Sequence, residues 1–146
     1  RGSTRDSRKD IGYGIYDELD FDVVTETAGD VEARIKVRIG EVAQSLKLVR
    51  QLISKLRRNA ETQLAVELGE LQQEEGHFTW GISESARGDN LHCLLLDKEG
   101  RIDRLFVRSA SYPNWPALTV AVQGDIIPDF PLINKSFELC YACIDR

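Results

Sequence analysis

The sequence predicts an α+β fold, with long helices and a small antiparallel β-sheet in a single domain over residues 1–146. Three observations carry that expectation. Apolar residues recur at intervals of three, four and seven between Val31 and Leu56, the spacing of one helical face. Two alternating segments, "FTWGISES" and "RIDRLFVRS", flank the short apolar run "LHCLLLD", as half-buried strands do. Finally, 42% hydrophobic and 29% charged residues with four prolines describe a chain that folds around a core.

Residues 1–29 read as an extended lead-in, with Gly12 and Gly14 set among tyrosines ahead of the acidic, aromatic "YDELDFDVV". Residues 30–72 read as helical. Asp30 has the short polar side chain of an N-cap, and Val31, Ile35, Val42, Leu46, Val49, Ile53 and Leu56 form the apolar series behind it. The charged positions between them face solvent or another subunit, and Gly40 is the one soft point. A polar joint at residues 58–62 precedes a weaker helical stretch to Leu71, and Gly76 marks the exit. Residues 77–109 form the β region, in which Lys98-Glu99-Gly100 joins "LHCLLLD" to "RIDRLFVRS" as a hairpin. Residues 113–146 hold a C-terminal helix and a cysteine tail. "NWPALTVAVQG" has proline early and glycine last, as a short helix does, and Pro128 and Pro131 punctuate the return to "LCYACIDR".

Net charge is −5 and no cluster of lysine and arginine is interleaved with aromatics, which argues against a nucleic-acid partner. No apolar run approaches the ~20 residues of a membrane span, so direct membrane insertion is not expected. The polar, basic start "RGSTRDSRKD" does not resemble a secretory signal. Three cysteines make a poor disulfide framework but suit metal ligands or free thiols in a reducing compartment, and a cytoplasmic location is expected.

Two of those cysteines, Cys140 and Cys143, form a C-x-x-C close to the last residue. That spacing turns both sulfurs toward one point and suits a thiophilic metal or a redox disulfide. Alone it is weak, and incidental thiols weigh as much as half a metal site. A structural zinc site needs four ligands, and only Cys93, His77 and His92 are otherwise available, unless two chains each contribute a pair. A thioredoxin-like role is disfavoured because the pair closes the chain instead of opening a helix. Taken singly, Cys93 reads as a core thiol, Arg87 as a solvated loop charge, His92 as a satisfied strand histidine, and Trp80 and Trp115 as core or interface aromatics.

Several motifs in register are more specific than the cysteine pair. "RDSRKDIGYGIYDELDFDV", "GDVEARIKVRIGEVAQSLKLVRQ", "SESARGDNLH", "RSASYPNWPAL", "DFPLINKSF" and "CYACIDR" run through the whole chain in order. This series resembles the C-terminal part of the large, catalytic subunit of nickel-iron hydrogenases. The likeness is to the membrane-associated, energy-converting branch, homologous to the quinone-site subunit of respiratory complex I. The resemblance implies that fold, and a nickel-iron centre with carbon monoxide and cyanide ligands for reversible dihydrogen oxidation and proton reduction. It implies Cys140 as terminal nickel ligand and Cys143 as the nickel-iron bridge, soft thiolates that suit nickel. Arg87, in "SESARG", would lie over the diatomic ligands of iron, where a fixed guanidinium donates to anions. Ser111 would donate to a cyanide, Asn114 would support it, and Glu84 and His92 would brace the ligating residues or carry protons. The proton of dihydrogen would pass to the Cys140 thiolate or to Arg87.

The chain departs from the family pattern in three places: Glu138-Leu139-Cys140 replaces D-P-C, and Ala86 and Ala110 replace prolines. It also lacks the family's other C-x-x-C, so it holds half the thiolate ligands and cannot complete the centre alone. The implied partners are a chain or segment carrying that second pair, an iron-sulfur small subunit, and membrane subunits that would hold the protein at the cytoplasmic face. The ending "CIDR" resembles a subunit matured by removal of a C-terminal extension. Two alternatives follow from the missing pair: a degenerate structural subunit of a complex I-like assembly without metal, or a zinc-binding dimer.

Overall fold

A computed structural model describes residues 3–58 and 77–143 of the chain. The expected weaker helix beyond Arg58 and the last three residues of the tail lie outside the described residues. In order, the elements are a single helical turn α1 (Ser7–Asp10), a long helix α2 (Val31–Arg58), strands β1 (Phe78–Ser85), β2 (Gly88–Leu96) and β3 (Ile102–Arg108), and helices α3 (Trp115–Ala121) and α4 (Phe130–Phe137). The mixed α+β class expected from the sequence is the class observed.

Helix α2 starts where its cap predicts. The Ala33 N–H donates to Asp30 Oδ1 at 2.7 Å, which satisfies one of the free amides of the first turn. The lead-in is less uniform than expected. Asp6 caps α1 by accepting the Arg8 N–H at 3.0 Å, and a 3-10 turn follows at Tyr16–Glu18. From there the chain runs as a strap antiparallel to α2. Gln51 Nε2 donates to the Asp20 carbonyl at 2.6 Å, the Asp20 N–H donates to Gln51 Oε1 at 2.9 Å, and the Asp22 N–H donates to Gln44 Oε1 at 3.1 Å. Ion pairs Lys55–Glu18 and Lys47–Asp20 fix the same register.

The strap explains Gly40. A Cβ at that position would sit 2.6 Å from Val24 Cγ1, so the helix accepts the glycine cost of about 1 kcal/mol to let the strap approach. It is a packing notch, not the soft point the sequence suggests. Leu19, Phe21 and Leu48 form a small core here, with Tyr16 and Leu52 against it. Helix α2 therefore packs through a line containing Ala33 and Leu48, whereas Ile35, Ile39, Val42, Leu46, Val49, Ile53 and Leu56 are each 45–66% exposed.

The sheet has strand order β1-β2-β3 and is antiparallel throughout. The Lys98-Glu99-Gly100 turn joins β2 to β3 as expected. Asp97 Oδ1 accepts the N–H groups of Glu99 and Arg101, and Gly100 takes a positive φ of 75°. The β1–β2 connection is tighter: Gly88 has φ 116°, a conformation open to glycine, which leaves Arg87 at the tip. In the C-terminal part the prolines open helical turns instead of merely breaking the chain. Pro116 starts α3 and Pro131 starts α4, a helix the sequence reading left unassigned. Helix α4 docks on α2 through Arg34, which donates to Ser136 Oγ at 2.8 Å and stacks over Phe137.

Candidate metal centre

Helix α4 ends at Glu138, whose left-handed φ of 50° reverses the chain. Two anchors fix the reversal. Leu139 is buried, and the Glu138 carboxylate pairs with Arg38 at 3.2 Å and Lys135 at 3.6 Å. Cys140 then enters a 3-10 turn, Tyr141–Cys143, closed by the Cys143 N–H donating to the Cys140 carbonyl at 3.3 Å. Both cysteines are half-buried and neither is in a disulfide, so the turn holds two sulfurs on a segment that is packed rather than splayed.

Ser111 ties that turn to the sheet. Its side chain is 2% exposed, and its Oγ accepts the Cys140 N–H at 3.0 Å. A hydroxyl that accepts still has its own proton to give, so Ser111 can donate to a further group. The loop bearing it is held in turn: the Ala110 N–H donates to Asn90 Oδ1 at 2.9 Å, and Arg108 pairs with Asp89. Asn114 Nδ2 donates to the carbonyls of Arg87 at 2.7 Å and Ala110 at 2.8 Å, which locks the tip of β1–β2 to this loop. The Arg87 Nε donates to the Glu138 carbonyl, so the arginine also touches the cysteine turn.

A cavity of about 310 Å³ collects these groups, with Arg87, Asn90, His92, Ser109, Ser111 and Cys143 among its walls. Of the residues singled out in the sequence, Arg87, His92, Ser111 and Cys143 therefore share one space, Cys140 is joined to it by its N–H bond to Ser111, and Asn114 braces it. Glu84 does not join them. Its Oε2 accepts the Ser7 N–H at 2.9 Å and its own N–H donates to Tyr13 Oη at 2.7 Å, which places it toward α1. It lines a second cavity of about 360 Å³ with Arg8, Arg38, Glu41 and Glu138. Ser85 and Arg87 line both cavities.

The sequence reading missed Asn90 and Ser109. Asn90 carries no motif signal. Ser109 stands two residues before Ser111 in "RSAS", and its buried hydroxyl has no hydrogen-bond partner among the described residues. An orphan hydroxyl beside a thiol, a guanidinium and a second hydroxyl fits an anionic, donor-seeking group in the cavity. The donor set fits half of a four-thiolate centre: among the described residues, no group of three or more His, Cys, Asp or Glu side chains could hold a metal ion. Cys93 lies apart from the site, on β2 between Trp80 and Phe106.

Comparison with known proteins gives four findings. The family model described as "Respiratory-chain NADH dehydrogenase, 49 Kd subunit" matches residues 1–146. Formate hydrogenlyase subunit 5 of Escherichia coli K12 is 34% identical over 99% of this chain and 25% of its own length. The carbon monoxide-induced hydrogenase of Rhodospirillum rubrum is 32% identical over 99% of this chain and 39% of its own length. Among solved structures, a chain of the membrane-bound sulfane sulfur reductase, an archaeal respiratory membrane complex, superposes with a TM-score of 0.85. That match has 27% identity and covers 99% of this chain and 40% of the other. The chain thus spans a quarter to two fifths of the length of these relatives. No helix among the described residues is long and apolar enough to cross a membrane.

Proposed function

The chain belongs to the family of the 49 kDa subunit of respiratory-chain NADH dehydrogenase, to which the large subunits of energy-converting hydrogenases are related, and from that membership we propose that it is part of a nickel-iron hydrogenase catalytic subunit. The observation that carries the reading is convergence. Arg87 from the β1–β2 tip, Ser111 from beyond β3 and Cys143 from the tail face one cavity, and the Cys140 N–H···Ser111 bond joins the pieces.

In this reading Cys140 and Cys143 supply two of the thiolates that hold a nickel-iron centre, and a segment outside this sequence supplies the others. When bound, such a centre supplies the electrophilic polarisation that splits dihydrogen. The residues of this chain do the rest. Arg87 is permanently charged and held through its Nε, so its remaining N–H groups are fixed donors into the cavity. Ser111 and Ser109 add hydroxyl donors whose position depends on packing, not on solvent. The Cys140 thiolate or Arg87 would hold the proton transiently. His92, on the exposed side of the same cavity, stands where protons meet water.

The segment with the missing thiolates also has a surface to meet. Positions 35, 39, 42, 46, 49, 53 and 56 of α2 repeat at alternating spacings of four and three and are exposed, as the seam for another helix would be. Membrane association would come through partners of the assembled complex, on the cytoplasmic face.

Metal analysis of the complex purified from cells tests the proposal. Nickel and iron in near-equal amounts, lost in both Cys140→Ser and Cys143→Ser, are expected; a complex containing neither metal removes the reading. The departure of Glu138-Leu139-Cys140 from the D-P-C pattern leaves one alternative, a structural subunit working without metal. Complex activity unchanged in both serine variants would select it.

A further inference from the structure

We propose that Glu41 is a proton-relay residue for the Arg87 site, exchanging protons between the α2 side of the molecule and the cysteine cavity through cavity water at the wall formed by Ser85 and Arg87. The inference rests on the hydrogenase reading above. Glu41 projects from α2 into the 360 Å³ cavity that Glu84 lines from β1. At roughly 30 Å³ per molecule, that space holds on the order of ten waters, and its charged walls supply their hydrogen bonds. Arg87 and Ser85 are the shared wall between this cavity and the one containing Cys143.

The acids lining this cavity are not equivalent. Glu138 is committed to Arg38 and Lys135, and Glu84 Oε2 to the Ser7 N–H; Asp6, outside the lining, is paired with Arg8 at 2.6 Å. No hydrogen bond or ion pair to another described residue fixes the Glu41 carboxylate. Burial pushes its carboxyl above the usual glutamate range, Asp6 from the α1 cap and Glu84 from β1 push the same way, and Arg8 and Arg38 oppose them. A relay needs a carboxyl that is not locked in an ion pair and that holds its proton more readily than a free side chain does. Glu41 has both features. The step is a proton transfer without electron movement: protonated Glu41 releases H⁺ to a cavity water, remains as a carboxylate flanked by Arg8 and Arg38, and is reprotonated from the other side.

The test is Glu41→Gln in the assembled complex, read by metal content, turnover against pH, and infrared titration of protonated carboxyl bands. Expected are unchanged nickel and iron, turnover reduced on the order of 10- to 100-fold, partial recovery in Glu41→Asp, and loss of one carboxyl band that titrates above the usual glutamate range. Wild-type turnover and pH profile in Glu41→Gln with metal intact overturn the relay alone. So does loss of metal in that variant, which marks a structural role, or persistence of the band. A wild-type complex without nickel and iron overturns the hydrogenase reading and takes the relay with it.

Discussion

Replacing Ser111 by alanine should release the cysteine turn from the sheet. The Ser111 Oγ is the acceptor for the Cys140 N–H at 3.0 Å, and Ser111 itself is 2% exposed. Removing an acceptor from a buried donor costs about 1–3 kcal/mol. Cys140 is only half-buried, so water can partly replace the lost oxygen and the lower half of that range, about 1–2 kcal/mol, applies. That corresponds to a five- to thirty-fold increase in the open population of the turn. Amide hydrogen exchange of the full chain in its complex should show faster exchange of that size at Cys140 and Cys143, with faster alkylation of both thiols. Ser109→Ala is the control. Its buried hydroxyl has no partner among the described residues, so deleting it removes an unsatisfied group and should leave tail exchange unchanged or slower. Equal exchange in wild type and Ser111→Ala, or a looser tail in Ser109→Ala than in Ser111→Ala, would refute the anchoring argument.

Other outcomes follow from the same geometry. Gly40→Ala should destabilise the chain by about 1–3 kcal/mol despite better helix propensity, because the new Cβ meets Val24 Cγ1 at 2.6 Å; Val24→Ala in the same chain should recover most of it in thermal unfolding. Burial would raise the Asp6 carboxyl, but hydrogen bonds from the Arg8 side chain and backbone, with the charges of Arg8 and Lys9, hold it below its usual value of 3.8. Its contribution is therefore present above pH 3.8 and lost as pH falls through the lower folded value, and acid titration of Asp6→Asn should show that loss removed. Arg87→Lys keeps the charge but not the planar fork, so activity of the complex should fall by about 100-fold or more with metal content intact; full activity would take Arg87 out of the site.

Local rules in the sequence decided where elements begin and end. Asp30 caps α2 because a short side chain can reach the third amide ahead of it, and the Lys98-Glu99-Gly100 turn follows from glycine's freedom at positive φ. The order of motifs was equally legible, which is why the family and the α+β class could be read from residues alone. The cavity was not. Cys140 meets Ser111 across 29 positions, and Arg87 meets Glu138 across 51. No periodicity or turn signal acts over such distances, so Ser109 and Asn90 escaped notice, and spacing alone does not tell that Glu84 meets Arg87 in the second cavity and not in the cysteine one. The apolar stripe of α2 makes the same point in reverse: spacing specifies which residues share a face, whereas whether that face is covered depends on what packs against it. In this fold the strap covers Leu48 and leaves the stripe open.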